Sequence, residues 1–482
     1  MKFRFLISGL LLIILQQLSA QEKKDSVIRF SLKEAQDYAL KNSPTVKNSI
    51  LDLEAAKKKI WETTAYGLPQ ISGKLTYGYT LEQSPFINEI NSINKIGILP
   101  DQEIITSIRL DSIINPASYT HRQDSIVNAK RHEIDSLSRV KPGDYKNSVT
   151  FDLTISQLIF SGSYLVGLQT SRVYKGLSEL AITKSQQDLK ESVSNSYFLV
   201  LITRENRDIM DSTYKNTEQI VENIISQYQQ GFVEETFVDQ MKINLANLKS
   251  GRDMLTRQLE IVLKLFNFQI GLDLNSQVEF SDSISSLVGT IDYSLILNSN
   301  YDVETSTDYK LIKTQERLQE LNVKYQKSMC LPTIAGYYNY HKQLNKDYPD
   351  FQPPQMIGLT ASVPIFTSGQ NLVKIKQANI QLEKTKNSNW QATEGLKIDF
   401  EQSRSNYISS IDKYNTQKKN LELAKRIYNL SLIKLKNGVI SSTDMVQVQN
   451  QYLQTQADYY SAINDLSKAK SKFEKIINQA NN

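Results

Sequence analysis

Cysteine is almost absent from this chain of 482 residues: Cys330 stands alone, so no internal disulfide can brace the fold, and it reads as an inert, half-buried residue. Histidine is nearly as scarce, with His121, His132 and His341 only. The first two lack the spacing of a helical metal pair. No GxSxG, phosphate-binding loop or dinucleotide fingerprint occurs, and the carboxylates are scattered along polar faces. Catalysis, a cofactor and a metal site are therefore not expected. No sign of charge dominates either: 56 Lys and Arg stand against 51 Asp and Glu, and the basic residues form no stripe of the kind nucleic acid needs.

Long apolar runs are missing except at the N-terminus. There Lys2 and Arg4 precede an apolar stretch from Phe5 to Leu15, followed by QQLSA and Gln21. That stretch is too short to span a bilayer, and the pattern predicts a signal peptide over 1–20, cleaved after Ala20. The alternative is a buried N-terminal helix.

Proline is absent from 143–331 and from 365–482, stretches rich in Lys, Glu, Gln, Leu and Ala. Helix interiors tolerate proline least, and those residues are good helix formers. Helices are expected over 163–228, 236–270, 290–330, 370–435 and 442–478. At 1.5 Å per residue the first is roughly 100 Å long, which points to coiled-coil packing rather than an ordinary globular helix. In the last helix Met445, Val448, Tyr452, Tyr459, Ile463, Leu466 and Phe473 advance in threes and fours, with Gln, Asn, Ser, Asp and Lys between them. The apolar seam should pack against neighbouring helices and the polar face should meet water.

The chain also says nearly the same thing twice. LPQISGKLTY (68–77) returns as LPTIAGYYNY (331–340), QLIFSGSYLVGLQTSRV (157–173) as VPIFTSGQNLVKIKQAN (363–379), and YQQGFVEETFVDQMKINL (228–245) as LKNGVISSTDMVQVQNQYL (435–453). Phe160 lies 71 positions before Gly231, and Phe366 lies 72 before Gly438. Such duplication dictates architecture, here two repeats over 21–280 and 281–482.

Four segments, about 70–82, 147–160, 333–342 and 355–366, alternate with period two. Val149, Phe151, Leu153 and Ile155, for instance, alternate with Thr150, Asp152, Thr154 and Ser156. The third is blurred by Tyr337, Tyr338 and Tyr340. The pattern fits membrane-spanning barrel strands or a soluble antiparallel sheet with one wet face. In lipid four strands cannot close a barrel, since about eight is the smallest number seen and an open edge leaves backbone groups unpaired. Either the strands are not in a membrane or several chains pool them. A three-fold ring, with twelve strands from three chains, is the natural solution.

Order and duplication together resemble the TolC family of outer-membrane efflux and secretion channels of Gram-negative bacteria. The resemblance begins at FSLKEAQDYALKNSPTVKNSILDLEAAKKKIWETTAYGLPQIS (30–72) and continues through IFSGSY and IFTSGQ to the two glycine turns. It implies a mixed α/β membrane protein: a homotrimer whose long antiparallel helical coiled-coil barrel continues a 12-stranded transmembrane β-barrel. Its function would be that of a passive, non-enzymatic exit duct. A periplasmic adaptor (membrane fusion protein) and an inner-membrane pump of RND or ABC type would be its partners, with outer-membrane lipid around the barrel and the rest in the periplasm.

The resemblance also assigns sites. The turns at Gly231 and Gly438 would form the periplasmic tip, with Phe232, Val233, Val439, Ile440 and Ser441 touching the adaptor. Asp444 would ring the entrance; Gln447 stands one turn on, and Phe237 with Asp239 nearby holds the equivalent place in the first copy. Pro69, Phe160, Gly162, Pro332, Phe366 and Gly369 mark the junctions of strand and helix. A plain alternative for Asp444 is an exposed first-turn acid favoured by the helix dipole.

The first repeat carries an insertion over about 82–146, in which 121–139 could form a helix. It should lie on the extracellular side as a partial cap over the barrel mouth or as a solvated loop. Two other readings of the whole chain stay open, a secreted or periplasmic coiled-coil scaffold without channel activity, and an adaptor. An adaptor would carry one helical hairpin, not two with paired strands.

Overall fold

A computed structural model describes residues 27–82, 103, 105–110, 121–138, 147–288, 301–345 and 352–480. The expected signal peptide and most of the insertion lie outside the described residues. In order, the elements are β1 (Ile28–Phe30), α1 (Leu32–Asn42), α2 (Pro44–Tyr66), β2 (Gln70–Tyr79), α3 (His121–Ser138), β3 (Asn147–Ser161), α4 (Gly162–Gln229) and α5 (Glu235–Ile270). There follow β4 (Val278–Phe280), α6 (Ile284–Val288), α7 (Thr307–Ser328), β5 (Thr333–Gln343), β6 (Gln355–Ser362), α8 (Gln370–Lys436) and α9 (Ser442–Ala480). The sequence helix α2 or α7, strand pair, very long helix, turn, helix thus occurs twice, with α4 of 68 and α8 of 67 residues. No described helix is long and apolar enough to cross a membrane.

By its contacts the chain forms two units that cut across the sequence repeats: 1–60, 169–323 and 375–482 make one, 61–168 and 324–374 the other. The helical unit is densest where α4 is apolar on all sides, in YFLVLI (197–202). Tyr197, Val200 and Leu201 are fully buried there among Phe30, Phe266, Ile270 and Phe280. Aromatic edges meet, with Tyr197 and Phe280 centroids 4.8 Å apart and Phe266 and Phe280 5.0 Å apart. β1 and β4, which periodicity does not reveal because each is only three residues long, pair in parallel beside this cluster. The Tyr197 hydroxyl ties them to α4: it lies 2.9 Å from the Phe30 carbonyl and 3.1 Å from Asp282 Oδ2, which also accepts from the Leu32 N–H at 2.7 Å. Burial pushes the Tyr197 phenol well above its usual range, so it remains a neutral donor.

The other unit holds a sheet in the order β2-β3-β5-β6, antiparallel throughout. Its register aligns apolar residues straight across the strands. Ile71 pairs with Ile155, Ile155 with Tyr338, and Tyr338 with Ile357; the next row runs Gly73, Leu153, Tyr340. A bulge between Leu158 and Phe160 sets one residue aside, so that Phe160 still meets Ile334 on this apolar face. The tyrosines that blur β5 separate cleanly: Tyr338 and Tyr340 join the apolar face, and Tyr337 the opposite one. There Tyr337 lies across Gly358, where an added Cβ would come within 2.7 Å of its ring. The opposite face is rich in hydroxyls and amides, including Thr154 donating to Asn339 at 3.0 Å, and also carries Lys74, Asp152, His341 and Met356. Among the described residues β2 and β6 each have one neighbour, so the sheet has two free edges.

Four expectations are corrected. The helix expected over 290–330 begins only at Thr307: a 3-10 turn over Val303–Thr305 precedes it, and Ser306 Oγ caps it by accepting from the Tyr309 N–H at 3.2 Å. β6 ends at Ser362 rather than near Phe366, because Pro364 has no N–H for the ladder. Cys330 is exposed, not half-buried, because it sits in the turn after α7. The polar face of α9 does not wholly meet water, since Gln449 and Gln456 are each 1% exposed.

Replacing Tyr197 by Phe should cost about 1–3 kcal/mol, because the Phe30 carbonyl then loses a buried donor. Melting in detergent tests this: an unchanged midpoint would mean that the hydroxyl carries no stability.

Candidate functional site

The two helix-to-helix turns are built alike. At the end of α4 the Phe232 N–H donates to Gln227 O at 2.9 Å and the Gly231 N–H to Tyr228 O at 2.9 Å. At the end of α8 the Val439 N–H donates to Lys434 O at 2.8 Å and the Gly438 N–H to Leu435 O at 3.0 Å. Both are Schellman closures, which require a left-handed residue, and Gly231 and Gly438 have φ of 78° and 69°. Just beyond them Phe232 and Val439 are 76% and 67% exposed. Val233 and Ile440 are half-buried and Ser441 is exposed.

The helices that restart differ in their caps. At α9, Ser441 Oγ accepts from the Asp444 N–H at 3.1 Å, and the Asp444 carboxylate accepts from the Ser441 N–H at 3.4 Å. This is a reciprocal capping arrangement with Asp in place of Glu. Asp444 nevertheless remains exposed, as does Gln447 one turn on. At α5, Glu234 occupies the N-cap position without capping a backbone N–H; its carboxylate instead accepts from the Thr236 hydroxyl at 3.3 Å. Asp239 is exposed, 3.7 Å from Lys242, whereas Phe237 is half-buried between the two hairpins, packed with Tyr428 and Met445 on one side and Val221 and Met241 on the other.

Sequence reasoning missed what joins these hairpins. The Asn244 amide donates to Gln449 Oε1 at 2.7 Å, Gln449 Nε2 donates to Thr217 Oγ1 at 3.0 Å, and Gln456 Nε2 donates to Asn206 Oδ1 at 3.2 Å. Gln449 and Gln456 are seven apart and share one face; that spacing is the signal that could have exposed them. Close by, Tyr428 stacks on Tyr452 at 5.0 Å, and burial pushes the Tyr428 phenol up to about 12.

The strand and helix junctions also differ. β3 runs directly into α4: Ser161 Oγ accepts from the Tyr164 N–H at 3.3 Å, and Gly162 packs where a Cβ would lie 3.0 Å from Ser328 O. Before α8 the chain turns through Ser368 and Gly369, both at positive φ (50° and 81°), and Phe366 is left 86% exposed. Pro69 and Pro332 each stand one residue ahead of a strand, after α2 and α7.

This architecture matches known proteins. It resembles the CmeC outer membrane channel of Campylobacter jejuni, with a TM-score of 0.67, 15% identity, and 93% of this chain and 86% of that one covered. VceC of Vibrio cholerae gives 0.66 at 11% identity over 92% and 95%, and the open state of the Neisseria gonorrhoeae MtrE channel 0.66 at 12% over 93% and 89%. Residues 313–479 match the family model described as outer membrane efflux protein. The fold is that of the TolC-type outer-membrane channels.

No curated protein sequence matches the chain. The family match falls on the second repeat, from α7 through α9. Among the described residues no cluster of His, Cys, Asp and Glu could hold a metal ion.

Gly438→Ala should loosen its turn by about 1 kcal/mol, or roughly fivefold faster amide exchange at Gly438 and Val439, because nothing but φ opposes the methyl. Gly438→Asn should recover part of this, since Asn tolerates the left-handed region. Equal exchange in all three proteins would remove the turn's conformational requirement.

Proposed function

We propose that this protein is the passive outer-membrane exit duct of a tripartite efflux pump or type I secretion system. One observation supports it above all: a four-stranded sheet with one apolar face ends in two free edges, β2 and β6. In lipid each unpaired backbone group costs several kcal/mol, so such a sheet is stable there only if copies close it. Strand directions alternate across all four, so β6 of one copy meets β2 of the next in antiparallel sense, and a ring closes without a mismatch. Three copies pool twelve strands (3 × 4), which exceeds the minimum of about eight. The apolar face with Ile71, Leu75, Tyr77, Ile357 and Leu359, exposed in one chain, then meets lipid, and the hydroxyl-rich face lines the lumen.

The duct breaks no bond. It takes cargo from an inner-membrane pump, of RND or ABC type, through a periplasmic adaptor. The exposed Phe232 and Val439, with Val233, Ile440 and Ser441 beside them, offer the adaptor its apolar contact at the tip. Asp444, repeated around the axis, places negative charge at the entrance and favours cations.

The mature protein should leave membranes only with detergent, migrate as a heat-labile species near three times the mass of one mature chain, and conduct in planar bilayers. A water-soluble monomer would sink the reading. Asp444→Asn should lower cation preference without abolishing conductance; an unmoved reversal potential would confine Asp444 to its capping role.

A further inference from the structure

The apolar face of the sheet carries a single charge. Every described strand residue that register places there is apolar, glycine, tyrosine or an uncharged amide, except Lys342. Lys342 stands in the row Leu75, Phe151, Lys342, next to the row Gly73, Leu153, Tyr340. It is exposed, and among the described residues its side chain makes no ion pair or hydrogen bond. A lysine on the lipid side of a barrel is costly at the middle of the bilayer and nearly free at its border, so its height decides what it does.

Ile334, at the start of β5, and Lys342, near its end, are eight residues apart. At about 3.3 Å per residue and a tilt near 40° that is about 20 Å along the membrane normal, against an apolar band about 25 Å tall. Lys342 therefore sits at the band's border, at the end of β5 remote from α7. Tyr77 marks the same border. It pairs with Val149, yet its hydroxyl lies 3.0 Å from Asn147 Oδ1, two residues nearer the end of the sheet. The ring leans outward with its polar tip leading, as tyrosines do at headgroup level. Behind Lys342 on the same face, Gly336 opens a groove of about 670 Å³ with Ile155, Tyr338, Ile357 and Leu359 around it. A Cβ at Gly336 would lie 3.5 Å from the side chains of Ile159 and Leu359, an ordinary contact, so the groove exists because that side chain is missing. Gly336 and Tyr338 lie six and four residues behind Lys342, or about 10–15 Å along the normal, the depth of one leaflet.

We propose that Lys342 and the Gly336 groove together hold one phosphate-bearing lipid of the outer leaflet, its phosphate on the ammonium and an acyl chain along the groove. The inference rests on the proposed duct, in which this face meets lipid. The lysine stem crosses apolar surface while its charged head reaches the headgroups, where it binds phosphate as a point charge. Cation and groove lie on one face, one leaflet's depth apart, and a lipid has both complements at that spacing. A lipid with an uncharged headgroup leaves the ammonium unpaired, and free phosphate leaves the groove empty. Each chain of the ring carries one such site.

Native mass spectrometry of the mature oligomer in an uncharged detergent, titrated with a saturated phosphatidic acid, tests this. The wild type should take up this lipid about fivefold more tightly than Lys342→Gln, the size of one lysine at an anionic lipid surface. Lys342→Arg should retain the binding. Diacylglycerol with the same chains, which lacks the phosphate, should not distinguish wild type from Lys342→Gln. Gly336→Leu, which fills the groove and leaves the charge in place, should weaken binding about fourfold for each methylene it displaces. Inorganic phosphate in excess should leave the lipid bound. Heat-labile oligomer on gels serves as the assembly control, and Lys342→Gln with the diacylglycerol comparison carries the test if Gly336→Leu does not assemble. Equal affinity of wild type and Lys342→Gln for phosphatidic acid, undiminished binding by an assembled Gly336→Leu, or displacement of the lipid by inorganic phosphate overturns the inference while leaving the duct standing. A mature protein that stays a water-soluble monomer overturns the duct instead.

Discussion

The rest of the structure depends on unpaired backbone. A strand edge carries a row of N–H and C=O groups that water can satisfy and hydrocarbon cannot. Four strands with aligned apolar residues on one face and, among the described residues, a free edge at each end are stable in lipid only if further strands complete them, which is what the proposed duct supplies. The alternation of strand direction, the bulge that keeps Phe160 facing Ile334, and the glycine that admits Tyr337 all serve a continuous surface.

The helical unit solves a different problem. Helices of 68 and 67 residues cannot be held by one compact core, and their stabilisation is divided. Aromatic burial around Tyr197 and Phe266 anchors one region, and the region beside the glycine turns is held by Phe237, Met445 and Tyr428. Between these, buried amides rather than apolar side chains join α4, α5 and α9. An amide pair such as Asn244 and Gln449 is satisfied only in one register, so it specifies alignment along a seam where a purely apolar stripe could slip.

Much of this was legible from residue order. Proline-free stretches rich in helix formers marked four of the five expected helices to within a residue or two, because proline is sterically incompatible with helix interiors wherever it occurs; the fifth, expected over 290–330, begins only at Thr307. Alternation located the four strands for the same reason, the pleat being a local property. Less was legible where local rules conflict. β6 stopped early because Pro364 lacks a donor, although the apolar pattern runs on through Ile365 and Phe366. β1 and β4 were invisible, since three residues are too few to show a period. Gln449 and Gln456 looked like solvent-facing residues, because composition cannot tell a polar side chain that meets water from one that meets another amide.

By itself, then, the sequence determined most of the elements and the order in which their motifs recur. Those are consequences of backbone sterics and hydrophobic periodicity, both of which are local. Only the tertiary structure decided which side chains share a row. The alignment of Ile71, Ile155, Tyr338 and Ile357, and of Lys74, Asp152 and His341, joins residues up to 286 positions apart, from Ile71 to Ile357. Register is set by cross-strand hydrogen bonds and one bulge, and a slip of a single residue would have turned every one of these side chains to the other face.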